Sequence, residues 1–309
     1  MVILNQPNTG NGAIRAMPEE EFFVSGHRAC AGCGATILLR HITKAAGKDT
    51  IIVNATGCME VVSTPYPETS WRLPWIHGAF QNNSAIASGV VEALRMLGKK
   101  TKVIVIGGDG ATFDIGFGTL SGAVERGHDF LYICYDNEAY MNTGVQRSGA
   151  TPLYSNTTTS PAEKKVHGKT EFKKPLPLII AAHRAPYVAT ASVSHIPDLY
   201  AKIKKALSIK GPKYIQVFAI CPTGWYSDIS KSIEIPRMAV QSKVCPLYEI
   251  VNGKLKFTVE VNNPIPAKDY LKTQGRFKHL NEEEIAEIQK NVDSEWNRLK
   301  ALEKLEGIF

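Results

Sequence analysis

Short apolar runs rich in β-branched residues alternate with longer amphipathic ones along much of this 309-residue chain, and that rhythm constrains the fold class before any motif is considered. The runs Thr50–Asn54, Lys102–Ile106, Phe130–Tyr135, Pro186–Ala191 and Lys213–Ala219 read as strands. Ala35–Ala46, Asn83–Leu97, Gly116–Arg126 and Ile196–Leu207 carry helical spacing between them. Such alternation is the mark of βαβ units, and strands that are apolar on both sides call for helices on both sides. The expectation is therefore an α/β fold, a mostly parallel sheet with helices on both faces. At 44% hydrophobic and 21% charged residues, the chain can bury such a core.

Two regions break the rhythm. Asn142 to Lys174 is rich in Thr, Ser, Gly, Asn and Lys and reads as a long loop, of the kind that commonly carries function. From about Ser227 the strand–helix alternation stops, and a charged amphipathic helix spans about Asn281 to Leu305. Residues 1–226 are thus expected to form the main domain. Residues 227–309 would be an extension whose helix packs on a neighbouring subunit or simply stabilises the surface. The net charge is +7, but the lysines are dispersed and not interleaved with aromatics, so a solvated basic surface is expected and no nucleic acid. No apolar run approaches membrane-spanning length, and the first residues lack a basic stretch followed by an apolar one, which points to the cytoplasm and no membrane contact. Six cysteines in such a chain fit reduced thiols or metal ligands better than a disulfide framework.

The unusual residues are not scattered. Gly57-Cys58 follows the first strand, Gly108-Asp109-Gly110 the second, Asp136-Asn137 the third, and Cys221-Pro222-Thr223-Gly224-Trp225 the fifth. Open parallel sheets bind ligands outside the carboxyl ends of their strands, so four separate segments point to one rim. Asp109 lies between glycines at a strand end leading into a helix: backbone N–H groups can approach a phosphate there while the carboxylate holds a hard cation. Mg²⁺ takes oxygen ligands in octahedral geometry, and Asp109, Asn137 and the carbonyl of Ala139 could supply three. The plainer alternative is a tight turn and an unrelated Asx turn.

Cys30 and Cys33 form a CxxC, with Cys58 and Cys221 at strand ends. Zinc would ask for a second compact pair, which is missing. A redox dithiol at a helix N-terminus is compatible with the CxxC alone, and four thiolates on one rim suit a [4Fe–4S] cluster. Cys134, inside a strand, and Cys245 read as buried apolar residues.

GDG followed by DN after a further helix and strand is similar to the thiamine diphosphate motif, with Asp136 where that motif often has its first Asn. CAGCG at 30–34, NATGC at 54–58, GDGATFDIG at 108–116, YDNEAYMNTGVQRSGATP at 135–152 and CPTGW at 221–225 together resemble the 2-oxoacid:ferredoxin oxidoreductases, in particular the β subunits of those acting on pyruvate. The resemblance implies a thiamine-diphosphate-binding (pyrophosphate-type) fold over roughly residues 25–226. It selects Cys30, Cys33, Cys58 and Cys221 as ligands of one [4Fe–4S] cluster, and Asp109, Asn137 and Ala139 as the Mg²⁺ set. It places Gly108 and Gly110 at the diphosphate, Thr56 and Gly57 at the thiamine ring, and Asn142 as a polar, catalytic contact to the substrate or the thiamine. Gly32 and Gly34 would let backbone pass close to the cluster and offer it N–H groups.

The implied reaction is reversible oxidative decarboxylation of pyruvate with coenzyme A, electrons leaving through the cluster toward ferredoxin. The carboxylate that activates thiamine is missing from the quoted segments. Glu60 and Glu68 could serve in principle, but the family places this glutamate on an α subunit; a γ subunit and a ferredoxin-like cluster subunit complete the expected assembly. Arg147 could pair with a carboxylate, and His27 and His77 carry no assigned role. Three alternatives remain: the same chemistry on 2-oxoisovalerate or oxalate, a non-redox thiamine-dependent lyase, and a non-catalytic electron-transfer module.

Overall fold

The computed structural model describes residues 17–163 and 167–309. The first 16 residues, on which the expectation about a leader rests, lie outside the described residues. Helix α1 (Gly34–Ala46) leads to β1 (Thr50–Ala55), α2 (Cys58–Ser63), β2 (Trp75–Gly78), α3 (Asn83–Met96) and β3 (Lys102–Gly108). A π-helical turn, Gly110–Asp114, precedes α4 (Phe117–Glu125) and β4 (Leu131–Asp136). After the long loop come α5 (Leu176–Ala182), β5 (Tyr187–Ser192), α6 (Ile196–Ser208), β6 (Lys213–Phe218) and the single turn α7 (Pro222–Trp225). The remainder holds α8 (Glu234–Gln241), β7 (Tyr248–Val251), β8 (Lys254–Phe257), α9 (Ala267–Leu271) and α10 (Glu282–Glu303).

All eight strands join one sheet in the order β2-β1-β3-β4-β6-β5-β7-β8. Strands β1 to β6 pair in parallel, and only β7 and β8 run antiparallel. Successive residues alternate between faces, as the strand period requires. On β3, Ile104 and Ile106 enter the core shared with Leu38, Leu39 and Ile42 of α1 and Leu199 and Ile203 of α6. Val103 and Val105 enter the opposite core, with Leu120 and Ala123 of α4, Ile180 of α5 and Trp296 of α10. Each fully buried Leu or Ile contributes about 1.5–3 kcal/mol relative to exposure, so neither face could be left uncovered. The expected α/β class, a mostly parallel sheet with helices on both faces, is the observed one.

Three strands and the short helices α2, α5, α7, α8 and α9 fall outside the rhythm read from the sequence. Strand β2 is four residues long, and β7 and β8 form a hairpin that adds antiparallel to β5, extending the same sheet with residues from the C-terminal extension. Helix α10 is entered through a capping box between Asn281 and Glu284, worth about 1 kcal/mol. Its buried seam, Ile288, Val292, Trp296 and Leu299, faces its own chain, with Trp296 against Phe257 of β8 at 4.7 Å between ring centroids.

Candidate functional site

The order β1-β3-β4-β6 makes neighbours of the four strand ends that carry Gly57-Cys58, Gly108-Asp109-Gly110, Asp136-Asn137 and Cys221. Chain direction reverses its lateral progress between β1 and β3, since β2 lies on one side of β1 and β3 on the other, and such switch points open a crevice. A narrow cleft, open to solvent, lies there. Thr56, Gly57, Gly108, Asp109, Gly110, Asn137, Ala139 and Asn142 all line it, together with Cys58.

Two tyrosines missed by sequence reasoning shape this cleft and explain its glycines. A Cβ on Gly57 would lie 2.5 Å from the Tyr135 hydroxyl, and one on Gly108 3.1 Å from the Tyr135 ring. A Cβ on Gly110 would lie 2.3 Å from the ring of Tyr140, whose hydroxyl donates to the Gly110 carbonyl at 3.1 Å. The ring of Tyr140 also meets Phe80, at 5.9 Å between centroids. Glycine is therefore required here by close approach of aromatic walls.

The oxygens meet as a cation site would require. The outer amide atom of Asn137 sits 2.9 Å from Asp109 Oδ1 and 3.0 Å from the Ala139 carbonyl oxygen. With nitrogen in that position the amide donates to both; with oxygen there, three oxygens converge, the donor set of a hard cation. Asp109 is 1% exposed, and burial, then the charge of Asp136, push its carboxyl well above the usual carboxylate range. Its hydrogen-bond donor is the hydroxyl of Ser148, from the long loop. A buried carboxylate under such pressure is what a divalent cation relieves, so the residues present fit Mg²⁺. Asp136 is not a ligand substitute: it pairs with Lys173 at 2.6 Å and accepts from Gln216 at 2.7 Å.

The cysteine segments converge beside the cleft. Gly34 N–H donates to the Ile220 carbonyl at 3.0 Å, docking the CxxC loop on the loop that carries Cys221. A Cβ on Gly32 would lie 2.3 Å from Ser232 Oγ, and one on Gly34 2.8 Å from the Ile220 nitrogen. These glycines thus serve loop-to-loop packing, and the Gly34 N–H expected to face a cluster is already used. Cys221 Sγ accepts from the Gly224 N–H at 3.4 Å. Burial, then the charge of Cys221 and also that of Cys33 and Cys30, push the Cys58 thiol up to about 12; burial pushes Cys221 up to about 11 and raises Cys33 as well. The raised Cys33 is the opposite of the depressed thiol of a redox dithiol, although it N-caps α1. Among the described residues no three His, Cys, Asp or Glu side chains are close enough to hold a single metal ion. In a [4Fe–4S] cluster each cysteine binds a different iron, so its sulfurs are farther apart than ligands of one ion, and the donor set fits that group. Cys134 is buried as expected, whereas Cys245 is only partly buried.

Other expectations resolve simply. Arg147 pairs with Glu171 at 3.6 Å on the surface. His27 stacks on Phe23, and His77 meets Thr56 Oγ1 at 2.7 Å and Glu60 at 4.0 Å. Glu68 is exposed, and neither it nor Glu60 lines the cleft.

A parallel sheet whose strand ends present a cation set and a glycine-floored cleft at a switch point defines a thiamine diphosphate enzyme, and residues 55–217 match the family model described as thiamine pyrophosphate enzyme, C-terminal TPP binding domain. The chain belongs to that family and, within it, to the β subunits of the 2-oxoacid:ferredoxin oxidoreductases. It is 56% identical to pyruvate synthase subunit PorB of Methanocaldococcus jannaschii, over 91% of this chain and 97% of that one. It is 47% identical to the ketoisovalerate oxidoreductase subunit VorB of Pyrococcus abyssi, over 94% of this chain and 96% of that one. The fold is that of the 2-oxoglutarate:ferredoxin oxidoreductase from Magnetococcus marinus, with a TM-score of 0.57 and 22% identity over 72% of this chain and 82% of that one.

Proposed function

We propose that this chain is the β subunit of a CoA-dependent pyruvate:ferredoxin oxidoreductase, in which pyruvate and CoA become acetyl-CoA and CO₂, with two electrons leaving for ferredoxin. The observation that supports the reading is the convergence of the Asp109–Asn137–Ala139 oxygens with Cys58 and Cys221 at adjacent strand ends, where the Cys30–Cys33 loop docks on the Cys221 segment. Thiamine diphosphate supplies an electron sink for the carbanion left when a 2-oxoacid loses CO₂. Asp109, Asn137 and the Ala139 carbonyl hold Mg²⁺, and the backbone at Gly108 and Gly110 admits the diphosphate. Thr56 and Gly57 face the ring portion. Asn142, exposed at the mouth of the cleft, hydrogen-bonds the substrate. Tyr135 and Tyr140 exclude water from the floor. Cys30, Cys33, Cys58 and Cys221 hold a [4Fe–4S] cluster, whose chemistry is one-electron transfer.

Asp109 is the one carboxylate among the described cleft-lining residues, and it is committed to the cation. The activating glutamate comes from an α subunit, as the family resemblance implies. A γ subunit and a ferredoxin-like cluster subunit complete a cytoplasmic complex. Exposed apolar residues flank the site segments where such partners would sit: Ile115 and Ile229 are each 57% exposed and Tyr226 63%. Residues 1–226 act as the cofactor domain, and 227–309 as an extension that supports it. The identity to a ketoisovalerate oxidoreductase subunit supports a second reading, the same chemistry on 2-oxoisovalerate.

The test is turnover of the complete complex with CoA and a viologen dye, pyruvate against 2-oxoisovalerate. A higher kcat/KM for pyruvate is expected, and the reverse order replaces the first reading with the second. Turnover without dye reduction, or fewer than about two irons per β chain when a four-iron cluster is claimed, would sink both.

A further inference from the structure

Resting on that reading, we propose that Arg276, in the C-terminal extension, is a positioning residue for the cation: it holds Glu138 from behind so that Asn137 and Ala139 turn their oxygens to the same point. Glu138 lies between those two ligands and has a left-handed backbone, φ +69°, which a residue with a Cβ adopts only when its surroundings over-determine it. Its side chain is 3% exposed and points away from the cleft into a charged cluster. Arg276, 2% exposed, donates from Nη2 to Glu138 Oε2 at 2.5 Å, and Lys173 holds the other oxygen at 2.9 Å. Thr151 Oγ1 donates to the Glu138 carbonyl at 2.7 Å.

A second tether runs from the same guanidinium. Its carbon lies 4.0 Å from the centroid of the Trp225 ring, and Trp225 Nε1 donates to the Asn137 carbonyl at 2.8 Å. Arg276 is itself fixed by Gln274, which accepts from Nε at 2.9 Å, and by its own carbonyl, which accepts from Asn156 N–H at 3.1 Å. Residues 138 apart in sequence are thus joined at the one strained peptide of the cation loop. A planar fork is needed to donate to two acceptors in line while its face stacks on an indole; a lysine ammonium could satisfy the charge but not the geometry. Groups that orient metal ligands without touching the metal commonly change metal affinity about 10–100-fold when removed.

The experiment uses the complete complex, stripped of cofactor with a chelator, and reads thiamine diphosphate binding by tryptophan fluorescence as Mg²⁺ is titrated. Arg276→Met should raise the half-saturating Mg²⁺ about 10–100-fold. Arg276→Lys should fall between Met and wild type. Arg298→Met, which removes an exposed arginine of the same extension paired with Glu295, should leave the wild-type value. If Arg276→Met fails to assemble, the double variant Glu138→Gln/Arg276→Met leaves Asp136 and Lys173 paired with each other and removes the unpaired charge; it too should need more Mg²⁺. An unchanged Mg²⁺ requirement in Arg276→Met or in the double variant, beside a wild type that binds, overturns the inference alone. A wild type that shows no Mg²⁺-dependent binding overturns the functional reading and the inference together.

Discussion

Asp109→Asn separates two properties of one side chain that a loss of activity would confuse. Without a cation, the Asp109 carboxylate is a liability: it is 1% exposed, and burial and the neighbouring Asp136 both disfavour its charge. Asparagine keeps the shape and an oxygen for the Ser148 hydroxyl, so the chelator-treated complex should unfold at the same temperature as wild type or above it. With Mg²⁺ and thiamine diphosphate the sign reverses. At a ligand concentration of about 100 Kd, binding stabilises wild type by about 2.7 kcal/mol, which at about 2 °C per kcal/mol raises the midpoint by about 5 °C. If losing a ligand carboxylate weakens binding about 100-fold, the same concentration stabilises the variant by only about 0.4 kcal/mol, a shift of about 1 °C. The assay is thermal unfolding of the assembled complex with chelator and with Mg²⁺ plus cofactor. A wild-type increment in Asp109→Asn would refute the ligand assignment, and a large loss of stability in chelator would refute the argument that the bare carboxylate is uncompensated.

Further consequences are as direct. Cys221→Ser should drop iron below the about four per β chain of an intact cluster, whereas Cys245→Ala should leave iron content at the wild-type value; equal losses would remove Cys221 from the ligand set. Gly110→Ala places a Cβ 2.3 Å from the Tyr140 ring, an overpacking cost of about 1–3 kcal/mol, and should abolish cofactor binding until Tyr140→Ala is added. Burial holds the imidazole of His195 down at about 4, below its ordinary 6.5. Between those values the unfolded chain takes up a proton that the folded chain refuses, so stability falls as pH drops through this window, by at most about 3 kcal/mol. His195→Gln should shrink the fall in melting temperature between pH 7 and about 4.5, and an identical fall would remove His195 as its source.

The class of fold and the rim on which the candidate residues meet were legible in the sequence because they rest on local rules. Parallel strands joined by right-handed crossovers all end on the same side, so knowing where each strand stops places Cys58, Asp109, Asn137 and Cys221 on one rim; that they are neighbours on it needed the strand order. What needed the tertiary structure has no local signature. Strand β2, four residues long, is too short to show a period and exists because β1 offers it an edge. The β7–β8 hairpin, by contrast, carries a local signal that the strand–helix rhythm passes over, Asn252-Gly253 with left-handed backbone between two alternating runs, and only its docking on β5 needed the tertiary structure. Gly57, Gly108 and Gly110 are glycines because Tyr135 and Tyr140 press on them, a fact visible only once the rings are placed. Gly34 turned out to give its N–H to Ile220, since the CxxC loop docks on a segment nearly two hundred residues away along the chain. The ion cluster of Asp136, Glu138, Lys173 and Arg276 is the sharpest case. Buried charges must find partners, but nothing in a linear pattern says which, and the choice was made by where the long loop and the C-terminal extension come to rest on the sheet.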